Sequence, residues 1–428
     1  MSNKTTIHVF DDYREGMGPS EFAALVQRAI DDCAENGGGR VLLDRPDTYL
    51  CDGLNLRSHV DLHIGVGVTL KGSGDENSYT HRPGSFELLR NETPICAFIH
   101  ALGCEDASVS GEGAIDGNYE VFILPDQGDE PHLRFYAYPR PMTLYFEDCR
   151  NTTITDVTVQ NAPFWTIHLV GCTNTVARNV KIHNEMRMPN TDGFDIDRCD
   201  NTLIEHCEII TGDDGICPKC TEETAQYGNC TNLTARDCVI ESQSSAVKFG
   251  SSSFGDFENC VFERLTIRDT NRGLAFQLRD PGSARNVEFR DITITTKGFS
   301  KEWWGSGEAI YLTLLPRDND TDLTGRTIEN VRFERIRGTV GAGMVVCAEE
   351  PGTMRGITLH DVNLQVTRQF DGVQEFDVRP WKRGDEKIAI PCESVMAHGV
   401  NADAIALDDV TITDSMDNTD NTDGGISQ

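Results

Sequence analysis

A recurring asparagine constrains the fold of this chain more than any other feature. Each copy follows a small residue or Cys and one further residue. After it come a β-branched strand, a short turn and a second strand. The positions are Asn151, Asn174, Asn201, Asn232, Asn259, Asn286 and Asn330, with Gly356 at the next equivalent place. The steps between them are 23, 27, 31, 27, 27, 44 and 26 residues. Steps of about two dozen residues, each holding about three short strands, are what a coil of a parallel β-helix needs. There are no paired helical patterns of the kind a tetratricopeptide or ankyrin array requires. The regular leucine framework of a horseshoe is missing too.

The N-terminal part reads as preparation for such a coil. Residues 19–36 form one amphipathic helix. It starts at Pro19 and Ser20, carries Phe22, Leu25, Val26, Ala29, Ile30 and Cys33 at helical spacing, and ends at Gly37-Gly38-Gly39. It is expected to cap the coil and cover its open edge. Short strands follow at 41–43, 49–51, 54–56, 60–64 and 68–70. Two excursions interrupt the repeat. Residues 118–141 carry Phe122, Phe135, Tyr136 and Tyr138, and residues 297–325 carry Trp303-Trp304. Insertions in a solenoid gather on one face and wall a cleft. The expectation is one all-β domain over residues 1–414, followed by a disordered acidic tail at 415–428.

Composition narrows the partners. There are 38 Lys and Arg against 69 Asp and Glu, a formal net charge of −31. Acid spread along the whole length argues against nucleic acid and anionic membrane as partners. It fits an acidic, halophilic protein kept soluble in high salt. No apolar run approaches a membrane span, and residues 1–10 have no hydrophobic export region, so a cytoplasmic protein is expected. The oligomeric state is not legible. The 15 cysteines, an odd number, favour free thiols over a disulfide framework. Cys149, Cys172, Cys199 and Cys230 precede the recurring Asn, which reads as a ladder of small buried side chains. Cys217-Pro218-Lys219-Cys220 with Cys230 and Cys238 is the competing zinc reading. Its first spacing fits a ligand pair, but its second pair is eight residues apart and lies in repeat positions.

Chemistry concentrates in two consecutive repeats. The first holds Asn190-Thr191-Asp192-Gly193-Phe194-Asp195-Ile196-Asp197, and the second holds Gly212-Asp213-Asp214-Gly215. Asp192 and Asp213 are 21 residues apart, about one repeat. That offset is expected to bring Asp192 and the Asp213-Asp214 pair to one outer face. Gly212 and Gly215 permit the kink that lets two adjacent acids both reach solvent. Grouped carboxylates push their pKa values apart, supplying a protonated acid beside ionised bases, as glycosidic cleavage requires.

These residues resemble glycoside hydrolase family 28, the polygalacturonases and related pectin hydrolases. The helix through Gly37-Gly38-Gly39 and the strands up to Gly72-Ser73 are similar to that group as well. The resemblance implies a right-handed parallel β-helix that hydrolyses pectic glycans of galacturonate or rhamnogalacturonate type with inversion, without a metal or other cofactor. By position it implies Asp213 as general acid, Asp192 and Asp214 as holders and activators of the water, and Asn190 as a positioning residue. Asp195 and Asp197 read as supporting or solvated. The chain departs from the polygalacturonase pattern twice. Ser244-Ser245-Ala246 stands where a Gly-His-Gly is expected, and Ala275 and Gln277 stand where an Arg-x-Lys pair binds the galacturonate carboxylate. Lys248, Arg272 and Arg279 lie close by and are candidate replacements. Lys248 alternates with Val247 and Phe249, so it should face outward. Trp303 and Trp304 are candidates to stack on a sugar, and a loop there that closed the cleft would favour exo action. Two other readings remain. One is a lyase on the same architecture, with the acids holding calcium and Lys248 as base. The other is a β-helix that binds glycan without cleaving it.

Overall fold

The computed structural model describes residues 5–82, 95–136, 140–299, 305–367, 374–376, 378–382, 388–390 and 395–414. The fold is an all-β right-handed parallel β-helix. The chain divides into two compact units, residues 1–212 and 213–428.

In the first unit the helix spans Pro19–Glu35, and the Glu21 side chain accepts from the Gly18 N–H at 3.2 Å. Its buried face is the expected one, from Phe22 to Cys33. Gln27 exchanges two hydrogen bonds with the backbone of Asn55, at 2.9 and 2.8 Å, and so covers a strand edge. Each coil then contributes three short parallel strands. One stack runs through Gly39–Leu43, Val60–Ile64, Ser108–Ser110, Thr153–Thr155, Thr173–Arg178 and Asp200–Glu205. A second sheet stacks Leu54–Asn55, Ile95–Leu102, Met142–Glu147, Ile167–Val170 and Phe194–Asp197.

In the second unit the second sheet stacks Ile216–Lys219, Ser245–Ser251, Arg272–Leu278, Glu308–Leu314, Ala342–Ala348 and Val395–His398. Opposite it lie long strands, Ala284–Thr296, Ile328–Val340, Met354–Val366 and Ile405–Asp414. The core of this unit is a ladder of rings. Phe249 stacks on Phe276 at 4.4 Å, and Phe289 stacks on Phe262 at 5.0 Å and on Phe333 at 5.1 Å.

The recurring asparagine has a conformational cause. All seven copies have φ between 55° and 58°, and Gly356 has 65°. This is the left-handed turn that Asn and Gly tolerate best. The amides also bond to one another. Asn174 and Asn201 donate to the preceding copy at 3.1 and 2.7 Å in the first unit. Asn259, Asn286 and Asn330 do so at 3.4, 3.1 and 3.3 Å in the second. Replacing Asn259 by Ala loses both the conformation and the ladder, and is expected to cost about 1–2 kcal/mol in urea unfolding. Asn259→Gly loses only the ladder and should cost less; equal losses would show that the backbone turn is not the cause.

The 14 described cysteines are buried free thiols. Cys149, Cys172 and Cys199 donate to the carbonyls of Ala101, Phe146 and Leu169 on the neighbouring coil, at 3.4–3.6 Å. Cys217, Cys220 and Cys238 point to three different carbonyls, those of Gly250, Asp256 and Arg236. Cys149, Cys172 and Cys199 thus form the expected ladder, while Cys217, Cys220 and Cys238 each bond to a separate carbonyl.

Candidate functional site

In the first unit the Asn190–Asp192 turn is built around Arg140. Asn190 has φ 60°. The buried Arg140 guanidinium donates to the carbonyls of Pro163 and Pro189, both at 2.9 Å, and to Asn190 Oδ1 at 2.8 Å. It lies 3.6 Å from the centre of the Phe135 ring and 4.9 Å from that of Phe164. Thr191 Oγ1 donates to the Met188 carbonyl at 2.9 Å and accepts from the Gly212 N–H at 3.1 Å. A Cβ on Gly212 would meet the Met188 carbonyl at 2.3 Å, so this position must be glycine. Asp192 is buried, and its carbonyl accepts from the Thr166 N–H at 2.9 Å. Asn190 therefore has its side-chain oxygen on Arg140, which positions the turn.

Asp195 and Asp197 are not solvated, contrary to one half of the expectation. Both are fully buried. His100, Tyr145, His168 and Asp195 are successive register partners across four strands. His168 Nε2 lies 3.6 Å from Asp197, and the Tyr145 hydroxyl donates to Glu147 at 2.9 Å. This outward-facing polar row was missed. Its sequence signal is the alternation in Leu144-Tyr145-Phe146-Glu147 and Ile167-His168-Leu169.

In the second unit Asp213 and Asp214 are adjacent but differ in environment. Asp213 is half-buried. Its carboxylate accepts the Asp214 N–H at 3.0 Å, and its carbonyl accepts the Ser242 hydroxyl at 2.6 Å. Asp214 is completely buried. It accepts the Ser244 hydroxyl at 2.9 Å and the Ser245 N–H at 3.1 Å, and it pairs with the Lys248 ammonium. Burial alone would raise the Asp214 pKa. The charges of Lys248 and Lys219 and the bonds from Lys248 and Ser244 outweigh it and hold the carboxyl below its ordinary value. Burial opposes the Lys248 charge in the same way, and Asp214 outweighs it and raises the lysine. Ser244 and Ser245, in the Ser244-Ser245-Ala246 stretch, thus bond to the Asp214 carboxylate, and Ser242 just before them holds the Asp213 carbonyl. The sequence shows the substitution but carries no signal of this role.

A family model described as glycosyl hydrolases family 28 matches residues 39–380. The chain belongs to that family. Among its relatives, a probable polygalacturonase of Vitis vinifera is 25% identical over 68% of this chain and 61% of its own length. An endo-polygalacturonase of Pectobacterium carotovorum subsp. carotovorum is 24% identical over 65% of this chain and 79% of its own. A solved hyperthermoactive exopolygalacturonase of Thermotoga maritima shares the fold. Its TM-score is 0.70 at 20% identity, covering 96% of this chain and 92% of that one.

The remaining candidates of this family-28 chain sort by their contacts. Lys248 does face outward, flanked by the buried Val247 and Phe249, but its ammonium is on Asp214. Arg272 is buried. Its Nε lies 3.6 Å from the equally buried Glu308, and its guanidinium lies 4.0 Å from the Tyr311 ring centre. Arg279 is buried and donates to Thr313 Oγ1 and the Val378 carbonyl, both at 2.8 Å, so it is not presented to solvent. Burial lowers its pKa, against a raising effect of Tyr311. Gln277 donates to the Arg379 carbonyl at 2.5 Å. Trp303 and Trp304 lie outside the described residues.

Proposed function

We propose that this chain hydrolyses glycosidic bonds in pectic glycans, of galacturonate or rhamnogalacturonate type, with inversion at the anomeric carbon. Asp213 is the general acid and Asp214 the ionised base that activates water. Asp192 joins the base by virtue of the family motif. The observation that carries this reading is the unlike setting of two neighbouring carboxyls. Asp214 is fixed in its ionised form by Lys248, Ser244 and Ser245, while Asp213 remains partly open to solvent. Neighbouring carboxyls in unlike surroundings can divide into acid and base roles. The family's substrate names support the pectic class; two of the three relatives above bear the word polygalacturonase and the third exopolygalacturonase.

The same pair counts against elimination. A lyase base must be able to lose its proton, and Lys248 is held protonated by Asp214. The test is to incubate the enzyme in high salt with galacturonan and rhamnogalacturonan oligosaccharides, following reducing ends, ultraviolet absorbance and product anomers by NMR. Reducing ends of inverted configuration without absorbance are expected. Unsaturated, absorbing products would overturn hydrolysis, and retained configuration would overturn the assignment of Asp214 as base.

A further inference from the structure

In the second unit the outer face of the second sheet is buried throughout Ile216–Lys219, opens in part on the next strand, and is closed again on the strands after it. In Ser245–Ser251 the outward Lys248 and the terminal Ser251 keep partial exposure. In Arg272–Leu278, Glu308–Leu314 and Ala342–Ala348 every residue is buried. A sheet with one face on the core and one in water alternates buried with exposed. Phe276 points to the core, where it stacks on Phe249, so Ala275 and Gln277 point outward and are covered.

The cover is made of two pieces. Residues 378–382 lie along one edge. Gln277 and Arg279 hold the carbonyls of Arg379 and Val378, at 2.5 and 2.8 Å, and the Lys382 N–H donates to the Pro316 carbonyl at 3.0 Å. Val378 and Trp381 pack with Leu315 and Cys347 in a buried cluster. Along the other edge, the Arg272 guanidinium lies 4.0 Å from the Tyr311 ring centre, and Gly305 lies so close that a Cβ there would stand 2.9 Å from Arg272 Cγ. The Gly307 carbonyl is fixed by Thr296 Oγ1 at 2.6 Å and by the Ala342 N–H at 2.7 Å. Between these edges Ala275, Tyr311, Ala342 and Val345 form a closed apolar cluster. Lys248 is the register partner of Ala275, and Gly250 that of Gln277. The cover therefore begins one strand beyond Lys248, about 4.8 Å away.

We propose that residues 378–382 and the turn at 305–307 form a wall that ends the substrate groove one strand past the Asp214–Lys248 pair, so that this enzyme works from a chain end. The proposal rests on the glycosidase reading for its substrate. The side chains at two candidate sugar-binding positions, Gln277 and Arg279, are anchors of the wall. A glycan chain cannot continue over Ala275, Tyr311 and Val345, so the sugar on that side of the scissile bond is terminal or nearly so.

Two measurements test it. The first is product length on a long galacturonan or rhamnogalacturonan. Mono- or disaccharide from the earliest time points, with the average chain length of the remainder little changed, is expected. An early ladder of intermediate lengths would overturn the wall. The second needs no substrate. Ala275→Cys and, separately, Ser251→Cys, at the partly exposed end of the preceding strand, are placed in the otherwise native chain and labelled with a maleimide. Labelling at 275 is expected to be at least about 100-fold slower, because it requires local opening; equal rates would overturn the wall. If no glycan is cleaved, the hydrolase reading fails, and the labelling ratio alone decides the wall.

Discussion

Replacing Asp213 by Asn is expected to lower turnover of unactivated glycans by about 10²–10⁴-fold, the usual worth of a positioned general acid. The amide fills the same half-buried space and still accepts the Asp214 N–H that the carboxylate accepts at 3.0 Å, so the melting temperature should change little. What the amide cannot do is give a proton to the departing oxygen. The defect should therefore depend on the leaving group. On an aryl glycoside whose phenol leaves readily as an anion, Asp213→Asn should recover most of the wild-type rate. Asp214→Asn should recover nothing, because the step it impairs is activation of water. Equal defects of Asp213→Asn on good and poor leaving groups would remove Asp213 from the acid role. Exchanged behaviour of the two variants would reverse the assignment.

Much of the coil was legible because its turn has a strict requirement. A left-handed residue once per coil selects Asn or Gly, and side-chain bonds between stacked amides favour Asn again at the same place. That double selection leaves a periodic mark that strand hydrophobicity alone would not. It is why Asn151 to Asn330, and Gly356 after them, stand out in the sequence. The next coil does not. Ile357 pairs with Ile405, a step of 48 residues with no asparagine at the start. The acids were legible for a similar reason. Gly212 must be glycine to pass the Met188 carbonyl, so the Gly-Asp-Asp-Gly turn keeps its form.

The partners of the other candidate residues were hidden. Arg140 reaches Asn190 across 50 positions, and Gln277 reaches Arg379 across 102. Outward-facing charge was readable at Lys248, but its choice between a substrate carboxylate and Asp214 depends on a geometry that no spacing records. Burial misled in the same way at Arg272 and Arg279. Both look like surface cations beside a turn, yet each is enclosed by elements far along the chain. In a solenoid the coil is a local property of the sequence, whereas the walls of its groove are made by insertions that obey no period.

Lys248→Met should have the largest effect on stability among the substitutions considered. The methionine keeps the aliphatic stem but leaves Asp214 a buried carboxylate without its ion partner. Loss of one member of a buried pair costs about 3–5 kcal/mol, here tempered by the Lys219 charge and by the bonds from Ser244 and Ser245 that remain. The pH dependence follows from the two displaced pKa values. Asp214 is lowered in the folded protein, so its contribution is present above the ordinary carboxylate pKa and is lost as pH falls through the lower folded value. Lys248 is raised, so its contribution is present below the ordinary lysine pKa and is lost as pH rises through the higher folded value. The pair therefore stabilises the fold across the whole interval between, and the difference between wild type and Lys248→Met in urea should be flat around neutrality. In the variant, burial acts on Asp214 without its main opponent. The carboxyl should rise, and with it the acid limb of the kcat/KM profile, because the base is then protonated over more of the range. Adding Asp214→Asn to Lys248→Met removes the stranded charge and should restore much of the lost stability without restoring activity, a coupling that a double-mutant cycle measures directly. Additive losses in that cycle, or an acid limb that stays in place, would show that Lys248 does not hold the base. The lysine would then be left for the substrate.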